Sequence, residues 1–154
     1  IAKRGIDSER IIFGKHLPIE GYLGRYKVVD LFLDTSPYNA GTTSSDAMKM
    51  GLPVITFQGQ SFSSRMGASI LKAINMPELI ANTQKEYESM AIELAKNPKK
   101  LKQIKEKLAK NIKSAPLYDT LLFTKHLESA FKLIYERHHK GLKPDYIFIE
   151  DSKK

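Results

Sequence analysis

The sequence predicts an α/β fold in which about four parallel strands are followed by a helical C-terminal segment. Residues 28–35 and 53–57 are nearly continuous apolar runs, typical of parallel strands that are buried on both faces. A short helical segment lies between them, and Gly51 is suited to end it. Strand, helix and strand in so few residues describe a compact βαβ unit.

Further elements follow from start and stop signals along the chain. Residues 1–8 are predicted to contain the end of a helix, with Gly5 as its stop signal. Residues 10–14 are predicted as another buried strand. A helix is expected over residues 19–27, and another between the second main strand and about Asn75. Residues 79–81 are expected to form the last strand.

The chain is predicted to be helical from residue 83 onward. Thr83 and Glu86 match a capping box, and Pro98 suits the first position of a second helix. A final helix is expected to reach about His139. Its apolar side chains are predicted to face inward: Phe123, Leu127, Ala130, Phe131 and Ile134. The predicted parts are a sheet domain (1–82), helices that pack on it (83–140) and a tail (141–154).

Composition places the chain among globular proteins with one core. It has 154 residues, 42% of them hydrophobic, and no cysteine, so neither a disulfide framework nor a cysteine-based metal site is expected. No apolar run has the length that a membrane-spanning helix needs. We expect a cytoplasmic protein. The chain begins at Ile1 without a methionine, and we interpret it as a piece of a longer protein.

The net charge of +8 is concentrated in residues 96–113, which contain eight lysines and one acid. Most such helix faces are solvated. The alternative is a basic surface for an acidic protein, nucleic acid or an anionic membrane. The segment has no aromatic residue for base stacking, so we expect no nucleic-acid partner, and we do not expect membrane binding. Neither acidic clusters nor histidine spacings indicate a metal site.

The loop between the two main strands is where chemistry is expected. Thr42, Thr43 and Ser44 are each plausible N-caps of the helix that follows. A helix N-terminus attracts anions, and Gly41 would allow a phosphate to approach the backbone. The alternative is ordinary capping, with Asp46 in the first turn complementing the helix dipole. The pattern alone leaves both interpretations open.

Several motifs in this region resemble the O-linked N-acetylglucosamine (O-GlcNAc) transferase family. They occupy residues 34–39, 42–43, 46, 51–56, 63–69 and 77–81. The similarity continues from about Arg10 to about Tyr135, with the motifs in the same order. It implies a two-domain GT-B glycosyltransferase of the SPINDLY/O-GlcNAc transferase type. This chain would then hold the C-terminal half of its Rossmann-like donor-binding domain, followed by helices.

The resemblance also implies a reaction and a set of binding residues. The donor would be a UDP-sugar, most simply UDP-N-acetylglucosamine, and the acceptor a Ser or Thr of another protein. Neither a cofactor nor a metal is implied, because the N-terminus of the helix would stabilise the leaving UDP. The implied UDP-binding residues are Leu17, Tyr22, Arg25, Gly41, Thr42, Thr43 and Asp46. Catalytic residues are expected in the N-terminal half of the parent protein, so this fragment alone should be inactive and can self-associate.

Three positions depart from the family pattern. Tyr22 replaces a histidine that faces the base, and a phenol ring can also stack on uracil. Tyr22 and Arg25 are three residues apart, so one helix face can present both. Their alternatives are packing on the sheet for Tyr22 and a carboxylate partner for Arg25. Gly41 replaces a histidine beside the pyrophosphate, and Ile19 replaces a lysine. Asp46 matches an acid that contacts the ribose.

Two other functions remain open at this point. The first is a non-catalytic interaction module, in which Gly41 and Ile19 mark a degenerate donor site and the basic helix binds a partner. The second is an enzyme that uses another sugar, because no residue here is assigned to the sugar's 2-substituent.

Overall fold

The computed structural model describes residues 2–149. Within them the helices and strands are α1 (Ile19–Arg25), β1 (Phe32–Leu33), α2 (Thr42–Lys49), β2 (Val54–Phe57), α3 (Met66–Ala73), β3 (Ile80–Ala81), α4 (Gln84–Lys96), α5 (Pro98–Asn111) and α6 (Thr120–His139). Short 3-10 turns lie between several of them, including Tyr26–Val28 and Ser63–Arg65. The predicted α/β fold, with parallel strands followed by helices, is confirmed.

The three described strands form one parallel sheet in the order β1-β2-β3. Phe32 lies opposite Val54, and Thr56 lies opposite Ile80. Because the strands are parallel, their carboxyl ends share one edge of the sheet. Asp34, which follows β1, and the side chain of Thr56 near the end of β2 both lie at this edge.

The hydrophobic core joins this sheet to the helices on either side of it. Its most buried members are at most 2% exposed, and they come from β2, α2, α3, the segment between α3 and β3, α4 and α5: Met48, Val54, Ile55, Leu71, Ile74, Met76, Leu79, Leu94 and Leu108. The core therefore includes residues from both sides of position 82. The proposed division of the chain at that position stays a prediction.

The predicted strand at residues 10–14 is wrong for the part of the chain that the structure describes. Residues 11–18 have no regular structure, and Ile12 and Phe13 are each 89% exposed. The first main strand is also shorter than predicted, because only Phe32–Leu33 pairs with β2 and Val28 lies in a 3-10 turn with 82% of its surface exposed. A strand needs a neighbour to bond with, and β1 has none on its outer edge among the described residues.

The first and last segments also differ from prediction. Residues 2–4 form a 3-10 turn that ends before Gly5, which has a positive φ of 68°. Ile1 lies outside the described residues. In the tail, residues 143–149 have no regular structure, and Arg137 pairs with Asp145 at 3.2 Å. Residues 150–154 lie outside the described range.

Side-chain caps fix the start of α4 and of α5, which packs against α4. The Thr83 hydroxyl accepts a hydrogen bond from the Glu86 amide at 3.1 Å, as predicted. The Asn97 side chain accepts one from the Lys100 amide at 3.0 Å, directly before Pro98 in the first position of α5. These caps satisfy amides that have no partner within their own helix.

Helix α6 does not bury the face that the sequence predicts to be inward. None of its residues is buried, and Phe123, Phe131 and Ile134 are 64%, 60% and 50% exposed. The apolar side chains of α6 do recur at the spacing of a helix, but an apolar stripe becomes buried only where another element packs against it. None of the helices between residues 2 and 149 is both long and apolar enough to cross a membrane.

Candidate functional site

A cleft lies between the turn at residues 14–18 and helix α1. Its volume is about 520 Å³, and it is lined by Gly14, Lys15, His16, Leu17, Pro18, Ile19, Tyr22 and Arg25. Arg25 donates a hydrogen bond from Nη2 to the Lys15 carbonyl oxygen at 2.6 Å. A Cβ atom on Gly14 would lie 2.7 Å from Arg25 Nη1, so this turn passes directly over the guanidinium group. The cleft therefore brings together three of the predicted residues, Leu17, Tyr22 and Arg25.

A pair of tyrosines connects this cleft to helix α2. The hydroxyls of Tyr22 and Tyr26 are 2.6 Å apart, and their rings meet edge to face with centroids separated by 5.3 Å. Tyr26 also donates to the Thr43 carbonyl oxygen at 3.4 Å. Burial is the largest cause that raises the pKa of Tyr26, and the hydrogen bond with Tyr22 is the second. The Tyr26 hydroxyl therefore keeps its proton and remains a donor at neutral pH.

Helix α2 begins without a side-chain cap. Its N-cap is Gly41, and the first backbone hydrogen bond runs from the Ser45 amide to the Gly41 carbonyl at 3.1 Å. The amides of Thr42, Thr43 and Ser44 have no hydrogen-bond partner among the described residues. The prediction that one of these three residues is the N-cap is therefore wrong. A glycine cap brings no side-chain acceptor, so the amides of the exposed residues Thr42 and Thr43 remain free to meet an anion, whereas Ser44 is fully buried.

Asp46 lies in the second turn of α2, so its predicted place in the first turn is also wrong. Burial of the tyrosine is the largest cause that raises the pKa of Tyr26 and of Tyr118, and the negative charge of Asp46 is a smaller cause that raises both. Asp46 is thus near both tyrosines, and its distance from the helix start makes dipole compensation a poor explanation of its role. Tyr118 donates to the Ser45 carbonyl at 2.8 Å and fixes α2 from the other side.

The predicted residues thus form two adjacent groups, the cleft and the N-terminus of α2. Sequence reasoning missed Tyr26, which joins them. The four-residue spacing from Tyr22 was a usable signal, because residues i and i+4 lie on the same face of a helix. Ile19 lies on the cleft wall and is 59% exposed. Within residues 2–149 no group of three acidic, histidine or cysteine side chains is placed to hold a metal ion.

The basic segment at residues 96–113, most of which is α5, lines neither the cleft nor the start of α2, and half of its eight lysines already have acidic partners. The ion pairs are Lys100–Glu93 and Lys107–Glu78, Lys105–Asp30 at the start of β1, and the longer Lys102–Glu106. Lys96, Lys99, Lys110 and Lys113 have no acidic partner in the described part of the chain. A groove of about 550 Å³ between α4 and α5 contains none of the predicted binding residues.

Comparison with known proteins gives a consistent result. The sequence model of glycosyl transferase family 41 matches residues 1–127. A Caenorhabditis elegans protein named UDP-N-acetylglucosamine–peptide N-acetylglucosaminyltransferase is 31% identical over 145 residues, which cover 94% of this chain and 13% of that protein. A Hordeum vulgare protein, described as a probable enzyme of the same name of the SPINDLY type, is 32% identical over 80% of this chain and 13% of its own length.

A solved structure shares the fold. A mutant O-GlcNAc transferase of Thermobaculum terrenum superposes with a TM-score of 0.80 at 33% sequence identity, over 87% of this chain and 26% of that one. The chain therefore spans a small part of the proteins that it matches. The family model covers well over half of the chain, and the predicted resemblance is confirmed. The chain belongs to glycosyl transferase family 41.

Proposed function

We propose that this chain forms the nucleotide-binding part of a UDP-sugar-dependent protein glycosyltransferase. The observation that carries the proposal is the start of α2, which has no side-chain cap and presents the free amides of Thr42 and Thr43 beside the cleft that contains Tyr22 and Arg25. The relative from C. elegans is named for UDP-N-acetylglucosamine and peptide acceptors. We therefore propose UDP-N-acetylglucosamine as donor and protein Ser or Thr as acceptor.

The cleft would receive the uracil base. Tyr22 presents an aromatic ring for stacking, and its hydroxyl bond to Tyr26 holds the ring in place. Arg25 is held by the Lys15 carbonyl at 2.6 Å, so its remaining N–H groups have a fixed direction toward a polar base edge. Leu17 adds an apolar contact at the cleft wall.

The start of α2 would receive the diphosphate. Its free amides and the positive end of the helix dipole favour negative charge, and the exposed hydroxyls of Thr42 and Thr43 add two donors. Negative charge on the diphosphate grows as the bond to the sugar breaks, so these fixed donors would lower the barrier. Asp46, one turn further along α2, would accept hydrogen bonds from the ribose hydroxyls.

Two departures from the family pattern define how this site would work. Gly41 has no side chain to donate, and Ile19 has no charge, so neutralisation of the diphosphate would rest on backbone amides and threonine hydroxyls. We propose that the transfer needs neither a cofactor nor a metal ion. Catalytic groups and the acceptor site would come from the rest of the parent protein, so this chain alone would not turn over. Its exposed apolar side chains would favour self-association in isolation. The predicted cytoplasmic location stays a prediction.

The proposal predicts that Thr43→Ala weakens UDP binding. Removing a hydroxyl donor to a charged phosphate should cost about 1–3 kcal/mol, which calorimetric titration of UDP without metal would measure. The full-length polypeptide that contains this chain is the protein to use. A triple variant of Lys99, Lys110 and Lys113 to glutamine is the matched control, because these lysines have no ion-pair partner among the described residues and do not line the cleft.

The two variants separate the competing functions. A loss of affinity in Thr43→Ala with no change in the lysine variant supports the donor site. Unchanged affinity in Thr43→Ala would reduce the start of α2 to a structural feature. If the folded full-length protein does not bind UDP at all, an interaction module with the basic face of α5 becomes the better explanation.

A further inference from the structure

Asp34 is a buried carboxylate to which neither the sequence analysis nor the proposed donor site gives a role. It follows β1 directly and is 4% exposed. Its Oδ1 accepts hydrogen bonds from the amides of Thr35 at 2.9 Å and Ala40 at 2.7 Å, and its Oδ2 accepts one from the Thr56 hydroxyl at 2.7 Å. Taking a carboxylate out of water is costly, so a site that retains one must satisfy it with well-placed donors. These three donors satisfy it.

Asn39 closes the same loop from its other end. It is 2% exposed, and its side-chain amide donates to the Thr35 carbonyl at 2.8 Å. Its backbone amide donates to the Ser63 carbonyl at 3.1 Å. Its side-chain oxygen accepts a longer bond, of 3.4 Å, from the Gly67 amide at the start of α3. The loop of residues 35–41 is therefore tied to β1, β2 and α3 by buried polar side chains.

The backbone of α3 packs directly onto the carboxylate. A Cβ atom on Gly67 would lie 2.5 Å from both Asp34 Oδ2 and the Thr56 hydroxyl oxygen. Gly67 lies in the first turn of α3, where the positive end of the helix dipole stabilises negative charge. The carboxylate has little freedom to move without disturbing β2 or α3.

The position of the loop gives this network a consequence for binding. The loop ends at Gly41, so the amides of Thr42 and Thr43 are held where Asp34 and Asn39 place residues 35–41. When the binding groups are already fixed in the free protein, the free-energy cost of ordering them on ligand binding is smaller. An exposed, mobile loop before α2 would lose that advantage.

We propose that Asp34, Thr56 and Asn39 are positioning residues, which hold the start of α2 in the geometry that receives the nucleotide diphosphate. The inference rests on the proposed function. None of the three is assigned a contact with the nucleotide. Their effect should be largest at the phosphate end of the ligand, because the Arg25 bond that holds the turn of the cleft is separate from α2, and the tyrosine pair reaches α2 only through the long bond from Tyr26 to the Thr43 carbonyl.

The test compares UDP with uridine, which lacks the phosphates, in the full-length polypeptide. Thr56→Val keeps the shape of the buried side chain and removes the donor to Asp34. Asp34→Asn is a second variant, which keeps an acceptor and removes the charge. We expect either variant to weaken UDP binding about tenfold and uridine binding by much less. The readout is the ratio of the dissociation constant of UDP to that of uridine, because a general loss of stability would not change this ratio.

Tyr87→Phe is the matched control. The Tyr87 hydroxyl donates to the backbone carbonyl of the same Asp34 at 2.8 Å, so its loss should lower stability and leave the UDP-to-uridine ratio as in the wild type. If Thr56→Val and Asp34→Asn fold and bind UDP as the wild type does, while Thr43→Ala weakens it, the positioning role is wrong and the donor site stands. If the wild type binds no UDP, both proposals fail. If UDP and uridine weaken equally, the role is structural only.

Discussion

Leu108→Ala is expected to lower the free energy of unfolding by about 2–5 kcal/mol, the usual cost of truncating a fully buried leucine. Leu108 lies in α5 and is 0% exposed within the core that joins α5 to the sheet. The loss has two parts, the apolar surface no longer buried and the cavity left by the removed atoms. Denaturant titration followed by circular dichroism would measure it.

The matched control for this change is Leu121→Ala. Leu121 lies in a helix like Leu108 but is 76% exposed, so its truncation should change stability by no more than about 0.5 kcal/mol. Equal effects in the two variants would contradict the packing of α5 on the sheet. The burial of Ile104 and Leu108 also turns the lysines of α5 toward solvent, on the opposite face of the helix.

Gly67→Ala is expected to destabilise the fold by about 1–3 kcal/mol, because the added methyl group would overpack a filled site. The atoms that it would meet are Asp34 Oδ2 and the Thr56 hydroxyl, both fixed by hydrogen bonds. Relief requires α3 to move away from β2 or the carboxylate to leave its donors. Thermal unfolding of the variant would measure the cost.

Gly24→Ala is a control for Gly67→Ala within another helix. A Cβ atom on Gly24 would have no heavy atom within 4 Å, so alanine there should be neutral or slightly stabilising through its better helix propensity. A Gly67→Ala variant as stable as the wild type would show that α3 does not press on the Asp34 carboxylate. That result would remove one support of the positioning role.

The sequence predicted best those features that depend on local pattern. The strand at 53–57, the Thr83 cap and Pro98 at the first position of a helix need only neighbouring residues to be recognised, and β2, α4 and α5 begin within a residue of their predicted positions. The strand at residues 10–14 and the inward face of α6 failed for one physical reason. Both predictions read apolar spacing correctly and assumed a packing partner that the described residues do not provide.

The site was predictable in its residue types and not in its connections. The family resemblance implied binding residues both before the first main strand, at Leu17, Tyr22 and Arg25, and in the loop and helix after it, at residues 41–46. The bond from Tyr26 to the Thr43 carbonyl spans 17 residues, and the bond from Thr56 to Asp34 spans 22. Contacts between residues so far apart depend on the tertiary fold, which spacing along the chain does not reveal. Gly41 as the cap of α2 also escaped prediction, because hydroxyl side chains next to it are usually the better caps.

The central claim is that the cleft at residues 14–25 and the start of α2 form one UDP site. Hydrogen–deuterium exchange of the full-length polypeptide, with and without saturating UDP, tests it most directly. The unbonded amides of the exposed residues Thr42 and Thr43 should exchange quickly in the free protein and slowly in the complex. We predict protection by UDP in both segments and none in α5. Binding of UDP that protects neither segment, or that protects the groove between α4 and α5 instead, would contradict the account.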